Sequence, residues 1–277
     1  MTLLSYDFMG YALLAAVLVG VTAPTVGVYL VQRRLSLIGD GIGHVALAGV
    51  AVGVLTSAAP VLTALAAAVA GAAAVELIRA RGRTSGDLAL ALLFYGGIAG
   101  GVVIISQAPG GTPGNLNAYL FGAITTTTAA DLGVFAVLSL AVLAVTVGLG
   151  RYLFAVSNDE EYAAAAGMPV LRLNLLLAVV TAVTVVIAMR VIGLLLISAL
   201  MIVPVASAQL IARSFRATIL LAALIGLAVS VAGVTTSYYA DTPSGGTIVL
   251  FAIAVFVAVA AVRATRGSLT PPHTPRT

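Results

Sequence analysis

"RRLSLIGDGIGHVALAGV", residues 33–50, decides how this chain folds. Two arginines open the stretch, and the residues after them are apolar or small except for Asp40 and His44. An apolar run of roughly 20 residues is long enough for a helix to cross about 30 Å of hydrocarbon. The pattern predicts a membrane-spanning helix that begins at an arginine-marked membrane surface. The two ionisable side chains inside that helix call for an explanation.

The rest of the chain has the same apolar character. Of its 277 residues, 61% are hydrophobic and 8% are charged, which is too little charge to cover a soluble domain. We therefore classify the chain as an integral membrane protein. It has no cysteine, so disulfides and thiolate metal sites are excluded, and a metal would need oxygen, imidazole or thioether ligands. It has no lysine either, which excludes a P-loop ATPase, because that motif needs a lysine on the phosphates.

The apolar runs between arginine clusters predict an all-α polytopic membrane protein. About nine transmembrane helices are expected, at residues 8–31, 37–55, 60–78, 86–106, 131–150, 171–189, 191–211, 218–238 and 247–262. If Arg33 and Arg34 face the cytoplasm, alternation puts twelve of the thirteen arginines on that side and leaves only Arg190 outside. The positive-inside rule then predicts an external N-terminus and a cytoplasmic C-terminus in the cell membrane. Because the arginines lie between apolar runs, we expect no nucleic-acid partner.

Residues 1–266 are predicted to form one transmembrane domain, and residues 267–277 a disordered cytoplasmic tail in which His273 is solvated. The first apolar run is too long for the apolar core of a signal peptide, so we expect it to be retained. Residues 107–117 are rich in turn residues. The run that follows, residues 118–128, is too short and too polar to cross a membrane alone, which predicts a short or re-entrant helix.

Asp40 and His44 are four residues apart, which places them on one helix face about 6 Å apart along the axis. A carboxylate and an imidazole are plausible ligands for Zn²⁺ or Mn²⁺. Two ligands do not complete a coordination sphere, so a metal would also need water, another helix or the same pair from a second subunit. Alternatively, Asp40 caps its helix near Arg33 and Arg34, and His44 donates a hydrogen bond to a neighbour. The insertion cost of a central Asp, about 2.5–3.5 kcal/mol, favours a functional role.

Glycines surround this pair. Their spacing gives two small-xxx-small pairs, which let another helix approach closely; the pairs are Gly39 with Gly43 and Gly49 with Gly53. The second helix is therefore expected to be packed within a bundle, with its polar pair facing protein or water. The glycine runs GDGIGH and GGIAGG (96–101) do not follow a strand in a βαβ unit, so they do not predict a nucleotide-binding loop.

SNDEEYAAAAGMP, residues 157–169, contains the main acidic cluster and falls between the fifth and sixth spans. Asn158 or Asp159 is expected to cap a short helix over residues 160–166, with Gly167 ending it and Pro169 blocking its continuation. A solvated turn is the alternative. A compact capped helix with an Ala-rich face is suited to docking into a partner's groove.

Residues 191–215 carry Pro204 in mid-span, with Ser198, Ser207 and Gln209 on helical spacing. Proline inside a helix frees a carbonyl and kinks the helix. The serines could line a pathway, or they could bond to their own backbone around a packing kink.

Three segments in this order resemble those of a known family. They are RRLSLIGDGIGHVALAGVAVG, SNDEEYAAAAGMP and IGLLLISALMIVPVASAQLIA, and they are similar to the hallmark segments of the zinc/manganese/iron permeases of ATP-binding cassette importers. The likeness runs from about residue 10 to 262. The family often has a small hydrophobic residue or Ser where Gly41 and Gly43 stand here, and a Pro in place of Ala48.

The resemblance implies a homodimer or pseudo-dimer of all-helical subunits related to the cobalamin and siderophore permeases. Asp40 and His44 match the family's Asp-x-x-x-His on the pathway-lining helix, so two subunits would present two carboxylates and two imidazoles to the metal. The segment that docks on the ATPase is implied to be Asp159, Glu160, Glu161, Tyr162, Ala163, Ala164, Ala165, Ala166 and Gly167. The implied partners are a cytoplasmic ATPase, an external metal-binding protein, a second copy and membrane lipid.

These observations together predict the permease subunit of an ATP-driven importer of Zn²⁺ or Mn²⁺. We expect a transport subunit that is not itself an enzyme, with the metal as cargo and no permanently bound cofactor. Two alternatives stay open. The cargo is a metal chelate such as a siderophore or cobalamin, or the chain is a secondary transporter in which Asp40 and His44 relay protons.

Overall fold

The computed structural model describes residues 7–82, 86–107, 120–122, 129–189, 192–194 and 196–267. Within these ranges the regular elements are helices, as predicted. They are α1 (Asp7–Gln32), α2 (Ile38–Leu55), α3 (Pro60–Ala80), α4 (Gly86–Ser106), α5 (Ala129–Gly148), α6 (Gly150–Asn158), α7 (Glu160–Ala165), α8 (Val170–Met189), α9 (Ile197–Ile211), α10 (Phe215–Ala240) and α11 (Ser244–Gly267). Eight of them are long and apolar enough to cross a membrane: α1 to α5, α8, α10 and α11.

The predicted span at 191–211 is shorter than expected. Its helix, α9, begins only at Ile197 and has 15 residues, too few to cross about 30 Å of hydrocarbon without bilayer thinning. Gly193 precedes it with a φ of +90°, and a Cβ atom at this position would lie 2.4 Å from the backbone of Phe121. The chain is therefore irregular where residues 120–122 approach it, and only glycine fits there.

Parts of two further predictions lie outside the described residues. Of the expected re-entrant segment at 118–128, the structure describes residues 120–122. The expected disordered tail is described only at residue 267, so His273 lies outside the described residues.

The centre of the bundle is α1, which packs against α5, α8, α9 and α10. It approaches α10 closely, because a Cβ atom at Gly20 would lie 2.8 Å from the carbonyl oxygen of Gly226. Pro24 interrupts the hydrogen-bond ladder inside α1, and Gly226 leaves room for its ring, since a Cβ atom there would lie 2.4 Å from the Pro24 Cγ. Small residues let backbones approach in this way inside membranes. The remaining helices, α2 with α3 and α4 among them, surround this centre.

Candidate functional site

Asp40 lies in the first turn of α2, and His44 lies one turn further along. Both side chains are partly exposed in the single chain. Asp40 is close to the end of its helix, so placing its charge in the bilayer costs less than the roughly 2.5–3.5 kcal/mol that applies at a helix centre. The pair therefore lies near one end of the span.

The glycines of α2 receive three neighbouring helices, which confirms that this helix is packed in the bundle. A Cβ atom would lie 2.7 Å from the Ser198 Oγ of α9 if built at Gly39, and 2.6 Å from the Thr63 carbonyl oxygen of α3 if built at Gly49. At Gly41 it would lie 2.9 Å from the Leu90 side chain of α4.

One sector of α2 stays uncovered by these neighbours. Gly39 and Gly43 face α9 and the segment before it, while Gly41 faces α4. Successive side chains of a helix are about 100° apart around its axis, so the Asp40 side chain points between the directions of α9 and α4. Leu47 lies on the same side of α2, two turns further along. Both residues are partly exposed. The sector that carries the ionisable pair is thus open to lipid, to water or to a second chain.

Asp40 does not cap its helix. The N-cap residue is Leu37, and it makes no side-chain capping hydrogen bond. Arg33 pairs with Glu76 and Glu160, and among the described residues Asp40 has no hydrogen bond or ion pair. The capping alternative therefore does not hold, and the Asp40 carboxylate is available to a ligand.

His44 is oriented by α4. Its ring lies edge-on to Phe94, with 4.5 Å between the ring centroids. Its Nδ1 atom is buried and has no hydrogen-bond partner among the described residues. A buried polar atom without a partner is costly unless a ligand satisfies it. The His44 Nδ1 therefore donates no hydrogen bond to the described residues, contrary to the alternative in which His44 bonds to a neighbour.

The described residues hold no group of three or more acidic, histidine or cysteine side chains that could bind a metal. Asp40 and His44 thus offer a carboxylate and an imidazole as two candidate ligands. This pair of donors fits a cation that keeps part of its water shell.

Two glycines of α4 hold this helix against the part of α2 that carries Asp40 and His44. Both lie in the run GGIAGG (96–101), which does not predict a nucleotide-binding loop. A Cβ atom at Gly97 would lie 2.7 Å from the backbone carbon of His44, and one at Gly101 would lie 3.4 Å from the backbone nitrogen of Ala48. Their four-residue spacing is the small-xxx-small signal already seen in α2, and it could have indicated a helix–helix contact. Gly96 and Gly100 have no atom within 4 Å of such a position.

The predicted capped helix is confirmed as α7. The Asp159 side chain accepts a hydrogen bond from the Tyr162 backbone N–H at 2.9 Å. At the other end Gly167 has a φ of +77°, and the N–H of Met168 bonds to the carbonyl of Ala163, which completes a Schellman motif. Within α7 the side chain of Ala163 is buried, while Tyr162 and the alanines after Ala163 are exposed.

Four charged side chains and one amide meet beside α7. Arg33 donates to the Glu160 Oε1 at 2.7 Å, and Arg79 donates to the same oxygen. Glu76 lies 3.5 Å from Arg33 and 3.3 Å from Arg79. Asn174 donates to Glu160 at 3.2 Å. We call these five residues the arginine–glutamate cluster, and it holds the ends of α1 and α3, the start of α7 and the first turns of α8 together.

The charges in this cluster support one another. Burial acts to raise the pKa of the Glu160 carboxyl, but the charges of Arg79 and Arg33 and their hydrogen bonds outweigh it and hold that pKa below its usual range. Burial also lowers the pKa of Arg33, and the charge of Arg79 lowers it further, against the opposite effect of Glu76 and Glu160. Glu160 is therefore ionised at neutral pH and paired with two guanidinium groups.

Pro204 lies buried inside α9, where the sequence predicts it. Ser207 donates to the carbonyl of Val203 at 2.9 Å, which is the self-bonded alternative. Ser198 differs, because its buried Oγ has no hydrogen-bond partner among the described residues and lies against Gly39. Ser198 thus remains a polar group close to the open sector of α2.

Comparison with known proteins gives a consistent result. The model of the ABC 3 transport family matches residues 5–263. The manganese transport system membrane protein MntC of Halalkalibacterium halodurans is 32% identical over 254 residues, which cover 92% of this chain and 87% of that protein.

Two solved structures are similar in fold. PsaBC from Streptococcus pneumoniae in complex with Fab contains a chain that is 31% identical, with a TM-score of 0.83 over 93% of this chain and 92% of that one. A putative metal-chelate type ABC transporter in an inward-facing conformation is 17% identical, with a TM-score of 0.76 over 92% of this chain and 86% of that one. The second likeness shows the fold alone.

Proposed function

The chain belongs to the ABC 3 transport family, and we propose that, as the membrane permease of an ATP-driven metal importer, it carries Mn²⁺ or Zn²⁺ past Asp40 and His44. The observation that carries this proposal is the open sector of α2. There a carboxylate and a buried imidazole nitrogen, neither with a hydrogen-bond partner among the described residues, lie one helical turn apart. The metal is cargo that crosses the site, and no metal is held permanently.

A second copy of the chain is the proposed source of the missing ligands. Two open sectors facing each other would bring two carboxylates and two imidazoles to one cation. Asp40, His44 and Leu47 are partly exposed in the single chain, as residues of such an interface must be. Incomplete coordination suits transport, because the ion has to leave as readily as it enters.

We propose that α7 docks on a separate cytoplasmic ATPase and that an external metal-binding protein delivers the ion. The exposed face of α7, with Tyr162 and its alanines, supports this docking role because it offers a compact apolar surface beside charged residues. The arginine–glutamate cluster joins the arginine-bearing ends of α1 and α3 to α7. By the positive-inside rule we propose that this end lies in the cytoplasm. With the segment that contains α9 as a ninth crossing, the N-terminus is external and the C-terminus is cytoplasmic.

Manganese is our first choice of cargo. MntC, which matches most of this chain, is described as part of a manganese transport system. Carboxylate oxygen and imidazole nitrogen suit Mn²⁺, and Zn²⁺ remains the second candidate because it accepts the same ligands. Competition of each ion, and of metal chelates, against radioactive Mn²⁺ uptake separates these cargoes.

The decisive experiment is uptake by vesicles that contain the permease with its ATPase and binding protein. Asp40→Asn replaces the anionic carboxylate, and His44→Gln the imidazole, by a neutral amide that is a weaker ligand of similar size, and we expect ATP-driven uptake of Mn²⁺ to fall by about tenfold or more in each. Asp241→Asn is the matched control, because Asp241 lies exposed at the end of α10 in a left-handed conformation that Asn also adopts. Uptake at the wild-type rate in both site variants would remove Asp40 and His44 from the pathway.

A further inference from the structure

The arginine–glutamate cluster joins elements that are far apart in sequence. Glu160 is the first residue of α7, and Arg33 directly follows α1. Their side chains meet at 2.7 Å although 127 positions separate them. Arg79, near the end of α3, reaches the same carboxylate oxygen. A displacement of Glu160 therefore acts on two other helices at once.

Arg33 sits at the entry to the helix that carries the metal ligands. Its backbone N–H still bonds to Tyr29 in α1, and the N–H of Leu35 bonds to Leu30. Arg34 between them has a φ of +59°, so the connection turns sharply before α2 begins at Ile38. A short, hydrogen-bonded link of this kind has little slack, and movement of Arg33 is passed on to the first turn of α2.

Burial keeps the cluster from opening freely. The side chains of Arg33 and Glu76 are 3% and 2% exposed, and breaking one partner from a buried ion pair leaves an uncompensated charge, which is strongly unfavourable. Glu160 is 41% exposed and therefore faces the outer surface. The cluster has a buried part fixed to the bundle and an accessible part on α7.

Few other contacts hold α7. Its six residues bury the Ala163 side chain, and just before it Gln32 donates to Asn158 at 3.0 Å. A force applied to the exposed face of α7 by a docked partner thus reaches α1 and α3 through Glu160.

We propose that the arginine–glutamate cluster is the joint that transmits movement of α7 to α2, with Glu160 and Arg33 as positioning residues. The inference rests on the proposed function, in which α7 meets the ATPase and α2 meets the metal. A second connection runs through Arg79, because α3 packs against Gly49 and Gly53 of α2. The two connections together tie the metal-carrying helix to the docking helix.

The test measures metal uptake and ATP hydrolysis in the same vesicles, which contain permease, ATPase and binding protein. Glu160→Gln keeps the shape of the side chain and removes its charge from both ion pairs. Because Glu160 belongs to the docking helix, assembly with the ATPase is measured alongside, and we expect the Mn²⁺ taken up per ATP hydrolysed to fall by about tenfold. Asp241→Asn should leave this ratio unchanged. A loss of fold or assembly alone would lower both activities and leave the ratio unaltered.

A milder variant provides a second measurement. Arg79→Gln removes one of the two ion pairs to Glu160 and leaves Arg33 in place, so we expect a smaller fall in the same ratio. A wild-type ratio of uptake to hydrolysis in both variants, with ATP hydrolysed at the wild-type rate, would overturn the role of the cluster as a joint. An absence of both Mn²⁺ and Zn²⁺ uptake by the wild-type complex would instead overturn the proposed function, so the two failures are distinguishable.

Discussion

Replacement of Gly97 by alanine tests whether close packing of α4 against α2 sets the position of His44. A Cβ atom at Gly97 would lie 2.7 Å from the backbone of His44, whereas ordinary van der Waals contact begins at 3.4 Å. The helices must therefore separate by about 0.7 Å. Overpacking of this kind costs about 1–3 kcal/mol, and the better helix propensity of alanine offsets about 1 kcal/mol. We expect Gly97→Ala to destabilise the protein by roughly 0–2 kcal/mol.

The effect on transport should exceed the effect on stability. A shift of the His44 backbone moves its imidazole away from the passing ion. Misplacement of a functional group by on the order of 1 Å lowers rates strongly, so we expect about a tenfold fall in Mn²⁺ uptake. Thermal unfolding in detergent and vesicle uptake are measured together. Gly96→Ala and Gly100→Ala are matched controls on the same helix, since a Cβ atom at either position meets nothing within 4 Å. If Gly97→Ala transports as well as these controls, the packing argument is refuted.

Three other predictions concern the docking helix and the dimer. Asp159→Ala removes the N-cap of α7 and should weaken binding of the ATPase in a pull-down titration by about fivefold, whereas Asp159→Asn keeps the cap and should bind normally. Because the folded pKa of Glu160 lies below its ordinary value of 4.5, its ion pairs stabilise the fold above that pH and are lost as pH falls through the folded pKa. Melting curves should show this acid-dependent loss in the wild type but not in Glu160→Gln. Since the chain has no cysteine, Leu47→Cys introduces a single thiol, and a bifunctional thiol reagent should link two copies through it. The same reagent should not link two copies through Val137→Cys, on a peripheral exposed face; equal linking of both would contradict the proposed interface.

The parts of the fold that depend on local sequence were predictable. The apolar runs located the membrane spans, and Asp159 and Gly167 located both ends of α7, because capping involves residues only three to six positions apart. The glycine spacing in α2 correctly indicated close helix packing, although it did not say which helices would pack there.

Features that depend on tertiary contacts were not predictable. The break before α9 occurs because residues 120–122 approach Gly193, and apolar composition alone extends the helix through this position. The ion pair of Arg33 with Glu160 joins residues 127 positions apart, so no local pattern announces it. The partners of Asp40 and His44 illustrate the same point, because a single chain presents the pair but not the rest of the coordination sphere.

Electron paramagnetic resonance of bound Mn²⁺ tests most directly whether His44 contacts the metal. The chain has two histidines, His44 and His273, so when the permease alone carries ¹⁵N-labelled histidine, a ¹⁵N coupling to Mn²⁺ has two possible sources. With Mn²⁺ held by the assembled transporter, we predict a coupling to imidazole nitrogen that disappears in His44→Gln and persists in His273→Gln. A coupling that survives His44→Gln, or none in the wild type, would contradict a metal path through α2.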